Sequence, residues 1–75
     1  MSGADVIRAL RQFEFEVVST RGSHAKLRRT TLDGRRQTLT IPLHDALAPG
    51  TLHAVFRQAS RYVPELDLRP LFFVR

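Results

Sequence analysis

Residues 24–43, HAKLRRTTLDGRRQTLTIPL, decide the fold. Ala25 and Leu27 alternate with His24, Lys26 and Arg28, and Leu39 and Ile41 alternate with Arg36, Thr38 and Thr40. Alternation of this kind marks a strand with one buried face, because successive side chains leave opposite sides of the pleat. Asp33-Gly34 between the two runs is a strong hairpin signal. The pattern predicts an antiparallel pair, about His24–Thr30 and about Arg36–Leu43, with one apolar face. The opposite face then carries His24, Lys26, Arg28, Arg36 and two threonines.

The flanks extend this unit. Upstream, Phe15-Glu16-Val17-Val18-Ser19-Thr20 is β-branched and aromatic, which predicts another strand, and Arg21-Gly22-Ser23 reads as the turn that follows it. Before it, Ser2-Gly3-Ala4-Asp5 has the form of a capping box with Asp in place of Glu. Val6, Ile7, Leu10 and Phe13 then recur at helical spacing, so a helix is expected over about Gly3–Phe13. Downstream, Pro42 closes the third strand and Leu43–Ala48 reads as a loop. Pro49-Gly50-Thr51 opens a second helix with Leu52, Val55, Phe56 and Ala59 on one side, ending near Arg61. Pro64 starts one more helical turn, Glu65–Leu68, which Pro70 is expected to stop. The apolar tail Leu71-Phe72-Phe73-Val74 either completes the core or adds to a partner contact. The order α-β-β-β-α predicts an α+β sandwich, helices on one face of a three-stranded antiparallel sheet. It forms a single domain over 1–75, with a core at about 2–61 and an appendage at 62–75.

Composition narrows the class. A chain of 75 residues with 43% hydrophobic content is a small folded domain, and without cysteine it has neither a disulfide framework nor a thiolate metal site. No apolar run approaches the roughly 20 residues of a membrane span, and Met1–Asp5 lacks the apolar run of a signal peptide, so a cytoplasmic protein is expected. The charge is concentrated. Residues 21–36 hold six basic side chains (Arg21, Lys26, Arg28, Arg29, Arg35, Arg36) against Asp33, which accounts for the whole formal charge of +5. Such a cluster is the footprint of a nucleic-acid site or of a surface for an acidic partner; a solvated Arg-rich hairpin is the plainer reading.

Within that cluster sits one imidazole. Arg21, Lys26, Arg28 and Arg29 are expected to crowd around His24, and histidine is the side chain best suited to move protons near neutral pH. An imidazole among cations is well placed against a polyanion such as RNA, while a single histidine beside a glycine turn is more often a turn or surface residue. His24 is the candidate acid or base, and His44, just past the third strand, the candidate second group. Arg21, Lys26, Arg28 and Arg36 are candidate RNA contacts, with solubility as their plainer role. Gly22 and Ser23 are expected to shape the turn; Ser23 as a nucleophile lacks an orienting carboxylate. His53 lies on the second helix with no case for catalysis. Three scattered histidines show no ligand spacing, so neither a metal nor another cofactor is expected.

Several ordered motifs resemble the HicA-type (YcfA-like) toxins of toxin–antitoxin systems. They are Ser2-Gly3…Val6-Ile7…Leu10, Arg21-Gly22-Ser23-His24, Ile41-Pro42-Leu43-His44 and Gly50-Thr51-Leu52…Phe56-Arg57-Gln58-Ala59. Together they span roughly residues 2–60. The resemblance implies a double-stranded-RNA-binding-like fold, a ribonuclease that cleaves mRNA and arrests translation, and a HicB-type antitoxin that neutralises it. It also carries the family's catalytic histidine onto His24. The chain departs from the pattern at Glu14-Phe15, where the family often has Gly-Phe, and beyond Tyr62. A non-catalytic RNA-binding module and a pure protein-interaction domain are the alternatives.

Overall fold

The structure, a computed structural model, describes residues 1–73. Its elements run α1 (Gly3–Arg11), β1 (Glu16–Arg21), β2 (His24–Thr30), β3 (Arg36–Pro42), α2 (Pro49–Ala59) and α3 (Glu65–Phe72). The strands form one antiparallel sheet in the order β1-β2-β3, so the architecture is the expected α+β. Ala25, Leu27, Leu39 and Ile41 are buried with Val6, Leu10, Val55, Phe56, Ala59 and Leu68 in one core, which puts the helices on the predicted apolar face. The shortest dimension, 17 Å, leaves room for those two layers only.

Local chemistry explains the ends of α1. The Ser2 hydroxyl accepts from Asp5 N–H at 3.0 Å, and the Asp5 carboxylate accepts from Ser2 N–H at 2.9 Å, satisfying two helix-end donors reciprocally. Gly3 is required by space. A Cβ there would lie 2.0 Å from the Pro42 carbonyl oxygen, a backbone atom that cannot step aside. At the other end α1 closes two residues earlier than expected, and Glu14 takes a left-handed φ of 71°. Phe15 N–H reaches back to Leu10 C=O at 3.3 Å, and Phe15 is fully buried. Glu14 thus adopts the conformation that glycine would supply at this departure from the family pattern.

The turn between β1 and β2 has two residues, Gly22 and Ser23, between the paired Arg21 and His24. Only Gly22, at φ 56°, is left-handed, the pattern of a type II′ hairpin. The open edge of β3 is covered by α2: the Gln58 side chain accepts from Thr40 N–H at 3.0 Å and donates to Thr40 C=O at 3.4 Å, a substitute for a neighbouring strand. β1 forms the other edge and is exposed along its whole length.

Two expectations are corrected. Pro70 does not stop the last helix but lies inside α3. Packing outweighs the lost N–H: Leu68 and Phe72 are buried on either side of it, and Phe72 meets Phe56 edge-on at 5.5 Å. Leu71, Phe72 and Phe73 therefore complete the core, while Val74 lies outside the described residues. Arg29 does not join the cations around His24. It shares the inward parity of Ala25 and Leu27, and its guanidinium donates to Phe13 C=O (2.9 Å), Tyr62 C=O (2.7 Å) and Gln37 Oε1 (2.6 Å). It also lies 4.8 Å from the centre of the Phe15 ring. Both carbonyls sit just past helix C-termini, where partial negative charge collects, so one arginine ties α1 and α2 to the sheet.

Candidate active site

The outer face of the sheet is a set of rows, each made of residues whose Cα atoms are partners across the strands. Arg21, His24 and Pro42 form the first row; Ser19, Lys26 and Thr40 the second; Glu16, Arg28 and Thr38 the third; Thr30 and Arg36 the fourth. Residues in one row share a face. A bulge makes this arrangement possible. The β1–β2 register slips between Val17 and Ser19, leaving Val18 as the extra residue. Without it, alternation from Glu16 would turn Ser19 and Arg21 away from His24. The inserted residue re-aims both toward the imidazole.

His24, Arg21, Lys26, Ser19, Thr20 and Thr40 line one groove of about 310 Å³. His24, Arg21 and Lys26 are exposed side chains, and among the described residues neither cation takes part in an ion pair. The groove thus combines a proton-transfer group with two free positive charges and hydroxyl donors. A larger cavity of about 540 Å³ opens beside α1 and α3, but it holds no histidine, and its Asp5 and Arg8 already pair with each other.

The other candidates are placed as follows. Arg28 lies one row beyond Lys26 and Arg36 one row further, so Arg36 shares the face of His24 but stands about 20 Å from it, three row intervals of two residues each. His44 is two residues past Pro42; its carbonyl accepts from Gly3 N–H at 2.9 Å, and it does not line the groove. Ser23 is tied through its main chain, its carbonyl accepting from Leu43 N–H at 2.6 Å. His53 stacks on Phe73 with ring centres 4.8 Å apart. Arg35 pairs with Asp33 at the hairpin tip. Among the described residues no three His, Asp or Glu side chains converge as a metal site would require. Ser19, Thr20 and Thr40 line the groove without being among the candidates that the sequence offers; parity puts Thr40 on the outer face, whereas the place of Ser19 depends on the bulge.

A small α+β domain with a cationic, histidine-bearing sheet face is the class that fold and site define. The family model for the HicA toxin of bacterial toxin–antitoxin systems matches residues 3–60, and the chain belongs to that family. Comparison with curated proteins and with solved structures gave no match. The family makes the chain a toxin of a toxin–antitoxin system, which implies an antitoxin partner. No helix among the described residues is long and apolar enough to cross a membrane.

Proposed function

We propose that this toxin is a metal-independent endoribonuclease that cleaves mRNA and inhibits translation in the cytoplasm, and that a HicB-type antitoxin neutralises it. The observation that carries the reading is the groove in which His24 lies between Arg21 and Lys26. In the reaction the 2′-OH attacks the adjacent phosphorus and loses its proton to a base. The P–O5′ bond breaks, the 5′-oxygen takes a proton from an acid, and a 2′,3′-cyclic phosphate is left. His24 supplies one of these proton transfers, worth about 10²–10⁴-fold. Arg21 and Lys26 hold the phosphate oxygens as charge develops on them. His44, two residues beyond the Cα partner of His24, is the candidate for the second transfer. Gly22 holds the turn that presents the histidine.

Expression of the wild-type chain arrests growth, and folded His24→Ala does not; cleavage persists in EDTA. A His24→Ala protein as toxic as its parent would overturn the assignment. RNA binding without cleavage, unaffected by His24→Ala, would favour the alternative of a non-catalytic RNA-binding module.

A further inference from the structure

We propose that the outer sheet face holds an unpaired RNA strand along a diagonal file of four cations beginning beside His24, so that the strand is cut near one end of its footprint. The proposal rests on the ribonuclease reading and specifies the substrate of the same site.

Each row contributes one cation: Arg21 on β1 in the first, Lys26 and Arg28 on β2 in the second and third, Arg36 on β3 in the fourth. Rows two residues apart repeat about every 6.6 Å, comparable with the phosphate-to-phosphate repeat of an extended polynucleotide. None of the four is in an ion pair among the described residues. The file shifts from β1 to β3 as it descends; Glu16, the one carboxylate in the three strands, is the Cα partner of Arg28, the third cation, and among the described residues forms no ion pair with it.

The asymmetry follows from where the sheet ends. Beyond the row of His24 lie only the Gly22-Ser23 turn and the end of β3, with no further strand cation. On the other side the file continues for about 20 Å. A duplex reader needs contacts across about 16 base pairs, which a single file of this length does not provide. The rings of Phe15, Tyr62, Phe56, Phe72 and Phe73 pack against one another at the core, so the face has no stacking platform among them. Its grip is on phosphates, and it tolerates sequence.

The test is cleavage of short unpaired oligonucleotides trimmed from either side of one cut. Trimming along the file slows cleavage by about tenfold for each phosphate contact removed, against less than about twofold on the other side. Binding by folded His24→Ala falls with salt at a log–log slope near about −2.8, and Arg36→Gln removes about 0.7 of it. Arg36→Gln also narrows the advantage of long-armed over short-armed substrates. Cleavage that needs both arms equally, or a slope unmoved by Arg36→Gln, overturns the file and leaves the ribonuclease reading standing. No cleavage of any oligonucleotide overturns that reading and the file with it.

Discussion

Arg28 and Arg29 are chemically identical neighbours, and the structure assigns them opposite work. Replacing Arg29 with alanine removes three hydrogen bonds, to Phe13 C=O, Tyr62 C=O and Gln37, and the contact with Phe15. Bonds from a charged donor are worth about 1.5–3 kcal/mol each, but these share one partly exposed side chain and water replaces some of them, so a loss of about 3 kcal/mol is expected. A domain of this size has about 4–11 kcal/mol in total, at about 0.05–0.15 kcal/mol per residue. Arg29→Ala therefore removes a large share of it, and the melting temperature falls by roughly 12–24 °C. Arg29→Lys keeps the charge but loses the planar fork, and should recover only a minor part. Arg28→Ala stays within about 0.5 kcal/mol of the parent, because its side chain lies on the outer face of the sheet and the Nε of that half-buried side chain makes no hydrogen bond that the substitution would remove. Urea unfolding followed by far-UV circular dichroism reads all three. Equal stability of Arg28→Ala and Arg29→Ala would refute the inward placement of Arg29.

Two further outcomes bear on the frame around the site. Glu14→Gly relieves a left-handed residue that costs about 1–2 kcal/mol and gives back about half of it as chain entropy, so stability should rise by about 0.5–1 kcal/mol; a lower melting temperature would contradict the turn. The Asp5 carboxyl is held below its ordinary value, first by the Ser2 N–H and then by the Ser2 hydroxyl, with Arg8 adding to both. A depressed folded value means that its stabilisation is complete above the unfolded value of about 3.9 and is lost as pH falls through the lower folded one. Melting curves of the parent and Asp5→Asn should converge below about pH 4, and a gap that persists in strong acid would contradict this.

The legible parts of the chain are those where a buried face imposes a period. Ala25-x-Leu27 and Leu39-x-Ile41 fix the parity of two strands, and Ser2 with Asp5 fixes a helix start. The same parity, carried two residues on, also turns Arg29 inward, where three hydrogen bonds offset the burial of its charge. β1 was less legible because it is exposed throughout, so no alternation marks its register and nothing in the residue types marks Val18 as an insertion. That bulge decides which β1 side chains join His24, so Arg21 was legible from its nearness in sequence but Ser19 was not. Pro70 misled for another reason: local propensity is weak beside the burial of Leu68 and Phe72. Leu47, buried in a segment read as loop, and Gln58, bonded to the β3 backbone, are tertiary contacts with no local signature.

The central claim is that His24 does chemistry on RNA from a folded sheet that does not need it. Cleavage of an unpaired RNA by the parent and by His24→Ala, matched for melting temperature, tests it most directly. The account predicts an unchanged fold with cleavage reduced by about 10²–10⁴-fold. Equal cleavage by the two folded proteins would contradict it.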